Sequence, residues 1–191
     1  VTSQQQEQCQ VEQLMALFNH VFSSRYQTRL VRGDDEPIYL PADDAHAHHR
    51  IVFAHGYFAS ALHEISHWCI AGAQRRLLED YGYWYMPDGR DDSAQEAFET
   101  AEIAPQAIEK VLTQACGRHF NVSVDNLEGS AEVDRDAFAA RVEARRQRYL
   151  VEGLPVRAEA FRQALLALFS EGQSPEQAGR CAGDWLDQHR H

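Results

Sequence analysis

Apolar residues recur along most of this chain at three- and four-residue intervals, with a few short stretches of two-residue alternation, so helices should dominate the fold. Leu14, Leu17, Phe18, Val21 and Phe22 mark a first amphipathic helix over residues 11–22. Short β-like pieces follow at 28–31 and at 38–40, the second lying between a turn-rich 33–37 and Pro41, and residues 50–54 read as a buried strand. Phe58, Leu62, Ile65, Cys69 and Ile70 then keep helical spacing. Ala59, Ala61 and Ala71 favour a helix there, and Gly72 is placed to end it. A second long helical stretch spans 93–115, with Ser93 and Glu96 as a capping box and Ala94, Phe98, Ala101, Ile108 and Leu112 as the buried stripe. Pro105 is positioned to kink or break it. Residues 120–124 alternate like a strand. Helices return over 135–150, 156–169 and 175–187, the last with Pro175 near its first turn.

The resulting expectation is an α+β fold in a single domain over 1–191, mostly helical, with a small sheet beside the central helix. Its core covers 10–170 and a helical tail covers 171–191. No apolar run approaches the roughly 20 residues a bilayer demands. The polar, glutamine-rich start has no signal-peptide core, and Cys9, Cys69, Cys116 and Cys181 are scattered without a C-x-x-C pair. Reduced thiols in a cytoplasm follow as the expectation. A net charge of −11 repels nucleic-acid phosphates and anionic membranes and favours a cationic substrate or partner.

Residues 63–67 read His-Glu-Ile-Ser-His. Side chains four apart on a helix stand one turn above each other, so His63 and His67 can chelate one ion, with Glu64 about 100° round from His63 and beside it. A third ligand, usually a carboxylate, must come from another segment. Glu102 falls on or beside the apolar stripe, where an unpaired carboxylate is expensive; Glu99 is the runner-up, projecting with Glu96 toward solvent. Two histidines and one carboxylate describe either a zinc hydrolase with Glu64 as general base or an iron(II) oxygenase. Ligand identity alone does not choose between a metallopeptidase and an oxygenase, and a non-catalytic, metal-stabilised adaptor is a third class. Cys69 points off the metal-facing side and reads as packing. His46, His48 and His49 lie in a polar stretch that reads as a surface loop, and His55 reads as a strand-end residue. Arg141, Arg145, Arg146 and Arg148 read as a solvated helix face.

Longer motifs decide between these classes. GDDEPIYLPA (33–42), RIVFAHG (50–56), ALHEISHWCIAG (61–72), YGYWYMPDGR (81–90), FETAEIAPQA (98–107) and FNVSVDNLEG (120–129) resemble the elongation factor P hydroxylase family of bacteria. The resemblance covers about residues 14–169. It implies a cytoplasmic, zincin-like enzyme that hydroxylates the β-lysylated lysine of elongation factor P, with iron(II) as its metal, other divalent ions able to take the same ligands, and dioxygen as co-substrate. His63 and His67 are then metal ligands, Glu102 the third, and Glu64 a catalytic group that orients a ligand or shuttles a proton. The aromatic run at 81–85 suits the wall of a pocket for a long cationic arm. Asp88, Asp125 and Glu128, in turn-rich segments, are placed to meet its amines, and Arg90 to meet the carrier protein or pair with one of them; each also reads as an ordinary turn residue.

Overall fold

Six helices and a small sheet, against which α1 and α2 pack, make up the computed structural model, which describes residues 2–80, 92–124 and 134–190, without the side chains of residues 92, 94, 95 and 98. Helix α1 (Ser3–Tyr26) is longer than its apolar repeat foretold. The Thr2 hydroxyl accepts from the Gln5 N–H while the Gln5 side chain accepts from the Thr2 N–H, which closes a capping box at the start. Arg118 then holds Glu7 at 2.7 Å, and Arg32 holds Gln8. The polar first turns are therefore stabilised by a cap and by long-range pairs, which hydrophobic periodicity does not register.

Strands β1 (Thr28–Arg32), β2 (Ile38–Leu40) and β3 (His49–Phe53) form a mixed sheet in the order β1-β3-β2. β1 runs parallel to β3 with Leu30 opposite Ile51, and β2 runs antiparallel to it with Tyr39 opposite the same Ile51. A tight turn joins β3 to helix α2 (Phe58–Ile70). Its His55 and Gly56 both lie in the left-handed region, at φ 54 and 65, and Ser60 accepts the Ala54 N–H. β3 thereby delivers the first turn of α2 directly to the sheet.

Helix α2 buries Leu62, Ile65, Trp68 and Cys69. Trp68 meets Phe18 and Phe22 of α1 edge-on at 5.3 and 4.8 Å between centroids, and Phe161 of helix α5 (Val156–Phe169) packs on the same two rings. The helix ends at Ile70 with Ala71, ahead of Gly72, as its extended C-cap, and arginines take the carbonyls there. Arg157 donates to Trp68 O and Ala71 O, both at 2.6 Å, and Arg76 donates to Ala71 O at 2.6 Å. Positive charge at a helix C-terminus also meets the negative end of its dipole.

Helix α3 (Asp92–Ala115) packs across α2 and continues through Pro105. Ser93 lies within its first turn, so it is not the N-cap that a capping box requires. Helix α4 (Arg135–Glu152) covers α3. Residues 120–124 form no strand: Phe120, Val122 and Val124 do turn half-buried toward the core, but the backbone of Ser123 bonds to the side chain of Gln106 and to no neighbouring strand among the described residues. Alternating burial without a ladder partner among the described strands gave the pattern of a strand and not its structure.

Helix α6 (Pro175–His189), capped by Ser174, lies on α1 and α5 with Ala178, Ala182 and Leu186 in the common core. Gly179 and Gly183, one turn apart, face His20 and Arg25 of α1 so closely that a Cβ at either would collide. No described helix is long and apolar enough to cross a membrane. Gly179→Val should therefore force α6 off α1 and lower stability by about 1–3 kcal/mol, the usual cost of overpacking. The gain in helix propensity from replacing glycine stays below about 1 kcal/mol. Urea unfolding of the two proteins, compared at equal slope, checks this.

Candidate metal centre

Three side chains from α2 and α3 meet at one point. The Nε2 atoms of His63 and His67 lie 3.0 Å apart, with their rings nearly perpendicular at 82°. Oε1 of Glu102 is 3.1 Å from His67 Nε2, and its Oε2 is 3.6 Å from His63 Nε2. All three donors fall within 4.8 Å of one another, and among the described residues this is the only such group of histidine, cysteine or carboxylate side chains. Two metal–ligand bonds of about 2.1 Å at a right angle place their donor atoms ~3.0 Å apart. The spacing fits one small cation, and so does the chemistry: two imidazole lone pairs this close repel unless a proton or metal ion lies between them.

Two further residues on the same stripe of α3 hold the ligands in place. Oε2 of Glu109 lies 2.7 Å from His63 Nδ1, so a proton on Nδ1 donates to it and leaves the Nε2 lone pair for the ion. Gln106, fully buried, donates Nε2–H to Glu102 Oε2 at 3.2 Å and to Ser123 O at 2.7 Å, while its Oε1 accepts the Ser123 N–H at 3.0 Å. Glu102 therefore has one oxygen held by Gln106 and the other turned to His67. Sequence reasoning passed over both Gln106 and Glu109. The signal was present, since 102, 106 and 109 repeat at four and three on the buried face and all are polar.

Charge in the cluster is strongly redistributed. Burial opposes a charged His63, but Glu109, with Glu102 and Glu64 behind it, outweighs burial and raises the ring pKa to about 10. Burial and the charged His63 push His67 down to about 4, against the pull of Glu102. Burial alone would raise Glu102; the hydrogen bond and charge of His67, then His63 and Gln106, bring it down to about 2. Glu64 is raised to about 7 by burial and by its carboxylate neighbours Glu102, Glu109 and Asp80, with His63 opposing.

Glu64 itself lies off the ligand cluster, on the wall of a cavity of about 190 Å³ shared with His67, Tyr39, Ile51, Trp68 and Asp80. Glu99, the runner-up, stands outside that group: it pairs with Arg141 of α4 at 3.1 Å. Asp88, Arg90, Asp125 and Glu128 lie outside the described residues, as does the aromatic run at 81–85. His46 pairs with Asp43, the Nδ1 of His49 accepts the Ala42 N–H, and His55 is exposed beside Tyr57, so none of them joins the centre. Cys69 is buried and its thiol is pushed up to about 12, in keeping with packing. Of the four arginines read as a solvated face, Arg148 pairs with Glu152 in the open, whereas Arg141 and Arg146 reach across to Glu99 and Gln114 of α3 and help to fasten α4 to it.

The sequence profile described as elongation factor P hydroxylase matches residues 17–178. A protein of Haemophilus influenzae named elongation factor P lysine hydroxylase is 49% identical over 160 residues, which are 84% of this chain and 89% of that protein.

Two outcomes follow from the geometry and the charges. Glu109→Ala, which frees the His63 ring, should weaken zinc or iron binding about 10- to 100-fold in a chelator competition while leaving the ligands present. In the metal-free chain His63 keeps its proton up to about pH 10. A divalent ion must displace that proton, so apparent affinity should climb with pH by up to about tenfold per unit near neutrality, with roughly one proton released per ion. Calorimetry in buffers of different ionisation enthalpy counts that proton. The metal-free fold has the full His63 ion-pair contribution below the ordinary pKa of 6.5 and loses it as pH rises through about 10.

Proposed function

Because the chain belongs to the elongation factor P hydroxylase family, we propose that it hydroxylates a lysine of elongation factor P, in the cytoplasm, on an arm already extended by a β-lysyl group. The observation that carries the reading is the convergence of His63, His67 and Glu102 on a point sized for one cation. Iron(II) held by two histidines and one carboxylate supplies, with dioxygen as co-substrate, the redox chemistry that hydroxylation of an unactivated carbon demands.

The protein's own groups do the rest. Glu109 fixes the His63 ring in the tautomer that offers Nε2, and Gln106 occupies one oxygen of Glu102, so the three donors stand preorganised. Glu64, with a pKa near 7, is suited to take up and return a proton close to His63 at working pH. Trp68, Ile51 and Tyr39 form an apolar flank to the same cavity and limit water around the reacting carbon. The overall charge of −11 attracts a doubly aminated arm. We assign Asp88, Asp125 and Glu128 to its amines and Arg90 to the carrier protein, on the turn-rich sequence around them.

The zinc metallopeptidase reading uses the same helix, so a single experiment separates the two. The chain is loaded with iron(II) without oxygen, mixed with β-lysylated elongation factor P and excess ascorbate as the two-electron donor that reduces the second oxygen atom to water, exposed to oxygen and read by intact mass. The expected product is heavier by one oxygen atom. His63→Ala, His67→Ala or Glu102→Ala should each cut its formation by more than about 100-fold, beyond the loss of an orienting partner. Absence of any oxygen-dependent gain from fully iron-loaded enzyme, or zinc-dependent cleavage of the protein substrate lost in Glu64→Gln, would overturn the reading.

A further inference from the structure

We propose that the cavity beside His67 is the subsite for the alkylammonium end of the substrate arm, with the Glu64 carboxylate as its anionic contact. The proposal rests on the lysine hydroxylase reading and deepens it.

The slot has a volume of about 190 Å³, several times the ~30 Å³ share of one water. Ile51, Ile70, Trp68 and Tyr39 give it apolar and aromatic walls, which match methylenes along their length and a cation at its end. Its charged groups, with one exception, are committed elsewhere. Arg75 donates Nε–H and Nη2–H to Asp80 Oδ2 at 2.9 and 2.7 Å. Arg76 donates to Ala71 O at 2.6 Å, and the Tyr39 hydroxyl donates to Arg76 O at 2.7 Å. His67 faces Glu102 at 3.1 Å.

Glu64 is the exception. Among the described residues no hydrogen bond or ion pair reaches its half-buried carboxylate; the charge of His63 acts on it favourably, and those of Glu102, Glu109 and Asp80 oppose it. A carboxylate on an apolar wall is costly without a hydrogen-bonding partner of its own. An anionic occupant would add to that repulsion, and a neutral one would leave it unrelieved. An ammonium group relieves it and forms a charge-assisted hydrogen bond. Because Glu64 and the ligand His67 belong to one helix and line one slot, an arm anchored at Glu64 lies beside the ligand cluster. Glu64 thus selects the arm by its charge, a task distinct from proton transfer.

The test uses two probes, Nα-acetyl-lysine N-methylamide and its norleucine counterpart, which lacks only the ammonium group. Each is titrated by calorimetry into full-length, iron(II)-loaded protein without oxygen. The lysine probe should bind roughly tenfold or more tightly than the norleucine probe, the worth of one charge-assisted hydrogen bond. Glu64→Gln should erase that preference while its iron affinity, read by chelator competition, stays at the wild-type value. Glu64→Asp should keep part of the preference. With elongation factor P as substrate, Glu64→Gln should raise KM as well as lower kcat, whereas loss of a proton shuttle alone leaves KM at the wild-type value. Equal binding of both probes by the wild type, or a lysine preference that survives Glu64→Gln, overturns the subsite. If the enzyme still hydroxylates elongation factor P in that case, the hydroxylase reading stands without it. Lysine binding through Glu64 with no oxygen added to the protein substrate would sink the hydroxylase reading and spare the subsite.

Discussion

Two imidazole nitrogens 3.0 Å apart, with a buried carboxylate against them, form an arrangement that cannot rest without a positive charge in its middle. In the metal-free chain the proton on His63 meets that need. The surrounding structure serves to keep those three groups together despite the repulsion and desolvation they carry. α2 and α3 must be fixed in angle and register for the contact to exist at all, and most of the described fold contributes to fixing them.

The two helices are restrained in different ways. α2 is held at both ends and along its length: the β3 turn and Ser60 at its start, the Trp68 aromatic cluster on its buried face, and Arg157 and Arg76 on its last carbonyls. Arg157 comes from α5, so the C-terminal half of the chain reaches the metal helix through a buried guanidinium and the backbone it caps. α3 is restrained by packing against α2, α4 and α5 and by polar groups of its own stripe. The Glu102 carboxylate takes its aim from Gln106 on that stripe, and the two histidines take theirs from the hold on α2 and from Glu109.

Much of this was legible in the sequence where periodicity and spacing coincide. His63 and His67 follow from a four-residue step within an apolar helix, and Glu102 from its place on a stripe that otherwise buries Ile108 and Leu112. The same reasoning kept Glu99 open as a ligand, because position on a helix gives an angle and not the neighbour that waits there; Arg141 supplied the neighbour. Glu109 and Gln106 escaped because each is explained only by a partner in another segment, His63 and Ser123 respectively. The first turns of α1 escaped for a related reason, since glutamines held by a cap and by Arg118 leave no apolar repeat. Residues 120–124 misled in the opposite sense, because half-burial alternated correctly while none of the described strands pairs with them.

The clamp between Gln106 and Ser123 uses only the main-chain N–H and C=O of residue 123. Any amino acid except proline offers the same two atoms. A substitution there that spares those two atoms keeps this hold on Glu102, so the clamp is written in the backbone and not in a side chain.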